Sequence, residues 1–154
     1  MTKIDKAVDR YKGEYNCAQA VITTYSEELG LKEDIAMSLT AAFGAGINYR
    51  GEMCGAVSAA LLLIGLKSKK LDGLDELKKE MVKEYCDKFI QEFKEQNNGV
   101  LCKKLLNADL SVAEELEKAR KNDIFSGICP GLVRSSAVIL EKLFTEMDNI
   151  FMKL

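Results

Sequence analysis

Met53-Cys54-Gly55-Ala56-Val57-Ser58-Ala59-Ala60-Leu61-Leu62-Leu63-Ile64-Gly65-Leu66 is the longest apolar run in the chain. A bilayer-crossing helix needs about 20 apolar residues, and this run is shorter. It is apolar all round, which predicts a helix buried on every side. Its first half is small, so neighbouring backbones can approach closely. Its second half, Leu61 to Ile64, is bulky.

The flanks read as helices too. Thr2 to about Lys12 carries Ile4, Ala7, Val8 and Tyr11 at helical spacing. Asn16 is a good N-cap for a second helix, with Cys17, Ala20, Val21, Thr24 and Leu29 on one face and Gly30 as its end. Glu33 and Asp34 open a third helix, where negative charge suits the first turn, and it runs to Phe43. A glycine-rich link, residues 44–51, leads into the buried helix. It fails the G-x-G-x-x-G dinucleotide pattern, because Tyr49 stands at the third glycine's position and a helix precedes it. The glycines are expected to let the chain turn sharply and pass close to the cysteine at the next helix start, Cys54.

Beyond a polar turn at 67–73, a long helix covers roughly Leu74 to Gln96, with Leu74, Leu77, Met81, Tyr85, Phe89 and Phe93 as its stripe. Asn97-Asn98-Gly99 stops it. A short helix spans about Val100 to Leu106. Ser111-Val112-Ala113-Glu114 fits a capping box for another helix, to about Asn122. Pro130 at a first helical position opens the last, apolar along Leu132, Val133, Ala137, Leu140, Phe144 and Phe151. No strand pattern competes. The expected fold is all-α: one domain over 1–154, a compact helical bundle of about seven or eight helices.

Composition narrows the function. The 154 residues suffice for one continuous core, and 47% are apolar. A formal charge of −2 gives no basic field for phosphate backbones, so no nucleic-acid partner is expected. The start, Met-Thr-Lys-Ile-Asp-Lys, has no apolar stretch of signal-peptide type. The expected location is the cytoplasm, with no membrane association. Histidine is absent, which removes Ser-His-Asp and Cys-His catalysis and any His-ligated zinc or haem.

Five cysteines remain, an odd number with no export signal, which favours free thiols or metal ligands over a disulfide framework. Four fall at predicted helix starts. Cys17 follows the Asn16 cap, and Cys54 heads the buried helix. Cys102 comes three residues after Gly99, and Cys129 is itself the N-cap candidate before Pro130. A helix N-terminus offers unpaired N–H groups and a positive dipole end, and both favour a thiolate. The four starts are expected to converge, with Cys54 the most acidic thiol and Arg50 near it. Cys86, in the middle of the long helix, is expected to be a core residue. No Cys-x-x-Cys occurs, so neither a thioredoxin motif nor a zinc ribbon is present.

Asn16-Cys17-Ala18-Gln19-Ala20-Val21, Phe43-Gly44-Ala45-Gly46 with Arg50-Gly51-Glu52-Met53-Cys54-Gly55-Ala56, Leu101-Cys102-Lys103-Lys104-Leu105-Leu106 and Cys129-Pro130-Gly131-Leu132-Val133 stand in that order. Together they resemble the redox-active family named for its cysteine pattern, C_GCAxxG_C_C, from about Asn16 to Leu143. Ala59 stands where a family glycine is expected, and Cys86 has no counterpart. The resemblance implies a redox role with Cys17, Cys54, Cys102 and Cys129 as redox thiols or cofactor and metal ligands. Similar domains occur fused to multihaem cytochromes of the split-Soret type, where they are associated with an iron–sulfur centre.

Two mechanisms stay open at this level. The four thiolates hold an iron–sulfur cluster, of [2Fe-2S] size, for electron transfer, or pairs of them cycle between dithiol and disulfide. A redox partner protein is expected, and a homodimer is allowed. The alternative from another class is a non-enzymatic helical binding module with structural zinc or inert core cysteines.

Overall fold

The computed structural model describes residues 1–154. It runs through α1 (Lys3–Lys12), α2 (Cys17–Tyr25), α3 (Glu33–Leu39), the single turn α4 (Gly44–Ile47), α5 (Gly55–Lys67) and α6 (Asp75–Asn97). The turn α7 (Cys102–Leu105), α8 (Ala113–Lys121), the turn α9 (Ile124–Gly127) and α10 (Cys129–Phe151) complete it. Seven of these elements are helices of seven residues or more. The only β-type pairing is an isolated antiparallel bridge between Met53 and Leu101. The protein is all-α, as its periodicity predicts.

Helix α5 is the axis. Its Gly55, Ala56, Val57, Ser58, Ala59, Ala60, Leu63 and Ile64 are all buried, consistent with a run that has no polar face. It packs against α2, α6 and α10. The small residues of its first half meet Ala18, Ala20 and Val21 of α2, which are fully buried in the same core. The Ser136 hydroxyl of α10 donates to the Ala56 carbonyl at 2.8 Å, which satisfies a buried polar group and joins the two helices.

Helix α10 runs on from α9 and is the longest apolar element; the stretch Ile124–Phe151 is long and apolar enough to cross a membrane by length and composition. In the fold its face of Val133, Ala137, Leu140, Leu143 and Met147 lies in the core. Its other side carries Arg134, Lys142 and Glu146, which form ion pairs with Asp5, Glu92 and Lys88. That is the pattern of an amphipathic core helix.

Several boundaries differ from the sequence reading for physical reasons. The second helix ends at Tyr25, and a tight turn over Glu27–Leu29 leads to the left-handed Gly30. The third stops at Leu39 instead of Phe43. The Asn16 side-chain amide takes the carbonyls of Thr40 and Ala41, at 3.3 and 3.2 Å, and bends the chain away. The box at Ser111 does not form: Asp109 accepts the Ser111 N–H at 3.0 Å, and Val112 is the cap. Cys129 is the first residue of α10, not its N-cap, because Ile128 is already in helical conformation at the end of α9.

Candidate functional site

Two hydrophobic clusters meet around the cysteines. The main core holds Cys54 and has Cys17 packed against it. A smaller cluster holds Cys102 and Cys129 with Leu106, Leu110 and Ala119. Between them lies a cavity of about 590 Å³, lined by Cys17, Cys54, Cys102 and Cys129 together. Cys54, Cys102 and Cys129 are buried and Cys17 is partly exposed. Cys86 lies elsewhere, on α6, half-buried against the main core.

Local structure explains how distant cysteines meet. Asn16, the predicted N-cap, forms a capping box with Gln19, which sets Cys17 at the first position of α2. The Cys54 N–H donates to the Val100 carbonyl at 2.8 Å, and the Cys102 N–H to the Glu52 carbonyl at 2.6 Å. These two bonds flank the Met53–Leu101 bridge and fix Cys54 beside Cys102. Two glycines allow the close approaches. A Cβ at Gly55 would stand 2.5 Å from the Cys17 sulfur, and one at Gly46 would stand 2.7 Å from the Cys102 Cβ. The sequence predicts that the glycine link passes close to the cysteine at the next helix start, Cys54; its close approach, at Gly46, is to Cys102.

The link also holds a feature that composition did not signal. Ala45, Gly46, Ile47, Asn48 and Tyr49 all have positive φ, between 52° and 69°. This is a turn of left-handed helix, and each non-glycine residue in it costs roughly 1–2 kcal/mol. It is held by the Asn48 N–H donating to the Ala42 carbonyl at 2.8 Å and the Glu52 N–H to the Gly46 carbonyl at 2.9 Å. The turn aims the Ala45 N–H at the Cys17 sulfur, which also accepts from Gly55 and Ala18.

The acidity order differs from expectation. Cys17 is the acidic thiol, lowered to about 7: the Cys54 thiol donates to it, and the N–H groups of Ala45, Gly55 and Ala18 add to the effect against the cost of burial. Cys54 is pushed well above the ordinary thiol value, by that same hydrogen bond to Cys17, by burial and by the Cys17 charge. The sequence reading placed the acidic thiol at Cys54 because Cys54 heads the buried helix. In the fold, the first N–H of that helix, from Gly55, serves Cys17, and the second, from Ala56, serves Cys54. Arg50 plays no part: it is exposed and its guanidinium donates to the Asn48 carbonyl. Burial raises Cys102 to about 12, with the charges of Cys17 and Cys129 adding to it. Cys129 rises to about 11 by burial, opposed by the Tyr11 hydroxyl. That hydroxyl also lies 3.1 Å from the Phe125 carbonyl and donates to it while Cys129 is a thiol.

The four helix starts are therefore unequal. Helices α2 and α5 present real N-termini, and both face the Cys17 sulfur. Helix α7 is a single turn, and the start of α10 is covered by α9. No three Cys, Asp or Glu side chains are grouped closely enough to hold a single metal ion. The sulfurs are instead distributed over the two clusters, Cys17 with Cys54 and Cys102 with Cys129.

The family described as "Putative redox-active protein (C_GCAxxG_C_C)" matches residues 15–143. The chain belongs to this family. All four cysteines that line the cavity lie inside the matched region, as do the left-handed turn and Gly55. No curated protein and no solved structure matches the chain. Within this C_GCAxxG_C_C protein the sequence reading missed several cavity residues: Tyr11, Tyr15, Tyr49, Arg120 and Phe125. Tyr11 reads as part of the apolar stripe of α1, and Arg120 carries no sequence signal of its own. No spacing in the sequence links them to the cysteines.

Proposed function

We propose that this protein is a thiol redox protein in which Cys17 attacks and Cys54 resolves. The observation that supports the reading is geometric: the partly exposed Cys17 sulfur lies against Gly55, the residue next to buried Cys54, in the wall of one cavity, where the Cys54 thiol and nearby N–H groups favour a Cys17 thiolate. A thiolate at neutral pH is the nucleophile of thiol–disulfide exchange, and a neighbouring thiol completes the exchange. Oxidation joins the two sulfurs in one bond, removing two electrons and the one proton held on Cys54. The sulfurs must close from contact to about 2.05 Å, a small movement. Cys102 and Cys129, both raised, remain thiols near neutral pH and complete the wall of the cavity.

The reading is tested by equilibrating the protein in dithiothreitol redox buffers without air, trapping thiols by alkylation and mapping the peptides. A Cys17–Cys54 disulfide is expected. Both residues alkylated throughout, while any other pair oxidises, would sink it.

A second reading is favoured by the meeting of all four cysteines in one cavity. Cys17, Cys54, Cys102 and Cys129 are a donor set of the chemistry that a [2Fe-2S] cluster takes, in two pairs. Such a cluster would supply one-electron transfer. Structural zinc fits poorly, since it needs four ligands about one ion. Brown colour, with iron and sulfide in protein purified without air, would decide for the cluster.

A further inference from the structure

The cavity is much larger than four thiols require, and its charge is one-sided. The chain carries 24 carboxylate and 22 cationic side chains, yet the cavity lining includes Lys12 and Arg120 and no carboxylate at all. Both cations are exposed at the rim, and neither forms an ion pair. The Arg120 guanidinium instead stacks 5.7 Å above the Tyr49 ring, which keeps it at the mouth. Tyr11, Tyr15 and Phe125 supply apolar and aromatic wall. A volume of about 590 Å³ falls in the range of small-molecule sites. Cys54, Cys102 and Cys129 are buried and Cys17 is partly exposed, so Cys17 is the sulfur that a ligand entering the cavity meets first.

We propose that the cavity takes a low-molecular-mass disulfide carrying carboxylates, which Lys12 and Arg120 draw in and Cys17 reduces. The proposal rests on the dithiol reading of Cys17 and Cys54. The Cys17 thiolate attacks one sulfur of the ligand, forms a mixed disulfide and releases the first ligand thiolate. Cys54 then attacks the Cys17 sulfur. The Cys17–Cys54 disulfide forms, the second ligand thiolate leaves, and the Cys54 proton passes to a released thiolate. Two electrons move from protein to ligand. Tyr11, Tyr15 and Phe125 cover the body of the ligand while its carboxylates stay near the two cations.

The test uses reduced full-length protein in a Cys86→Ala background, without air, at low ionic strength. Three probes are compared in single turnover: dithiobis(nitrobenzoate), which is dianionic, dithiodipyridine, which is neutral, and cystamine, which is dicationic. The expected result is a ratio of dianionic to neutral rate that falls about tenfold in the Lys12→Ser/Arg120→Ser variant. The same ratio falls as salt is raised, because exposed cations are screened. The cystamine-to-neutral ratio rises in the variant. Ratios that stay the same in wild type and variant overturn the substrate class, even if every probe oxidises the Cys17–Cys54 pair. A Cys17→Ser protein that reduces dithiodipyridine as fast as the wild type overturns the dithiol reading itself.

Discussion

The Cys17 sulfur rests against the bare Cα of Gly55, so closely that a Cβ there would stand 2.5 Å from it. The contact joins the first position of α2 to the first position of α5 and turns the N-termini of both helices on one sulfur. Gly55→Ala forces that sulfur away. We expect a stability loss of about 1–3 kcal/mol from overpacking, and a Cys17 pKa that climbs from about 7 toward the ordinary thiol value of 9.0. Urea melts and alkylation rates against pH, each on the reduced protein, read the two effects. A stable variant with unchanged Cys17 reactivity would mean the Gly55 N–H contributes nothing.

Stability should follow pH through the same sulfur. The folded-state value of Cys17 lies below its ordinary value, so its contribution is present above pH 9 and is lost as pH falls through 7. Cys54, Cys102 and Cys129 are shifted upward, so theirs is present below the ordinary value and lost as pH rises past it. The stability difference between wild type and Cys17→Ser carries the first effect, together with the part of the other three shifts that Cys17 causes. It should widen by on the order of 2 kcal/mol between pH 7 and pH 9. A difference that stays level across that range contradicts a thiolate at Cys17.

Ile47 is a β-branched residue at φ 66° in the left-handed turn, and 39% of it is exposed. Glycine relieves the strain there and forfeits little burial, against the cost of ordering a glycine. Ile47→Gly is therefore expected to stabilise the protein by up to about 1 kcal/mol. A fall in the urea midpoint would show that Ile47 contributes packing that outweighs its backbone strain.

Cys86 lies outside the cavity, and burial alone is the main reason its thiol is raised. Cys86→Ala should leave the Cys17–Cys54 redox couple unchanged and cost on the order of 1 kcal/mol through a small cavity. A shifted midpoint in the dithiothreitol titration would place Cys86 in the redox machinery after all.

The sequence by itself determined the helices and the four cysteine segments, because those signals act within a few residues. The Asn16 cap accepts an N–H three positions on, and the all-round apolarity of α5 needs only its own composition. What failed at that level were features whose partner is distant in the chain. The third helix stops early because Asn16 reaches the Thr40 and Ala41 carbonyls. Cys17 is favoured as a thiolate because packing of α2 on α5 brings its sulfur to the Gly55 N–H and the Cys54 thiol, besides the N–H of Ala18 in its own helix. Only the tertiary structure decided that Arg120 and Tyr49 share a cavity with the cysteines. Electrostatic and steric effects depend on distance through space, and spacing along the chain carries no record of it.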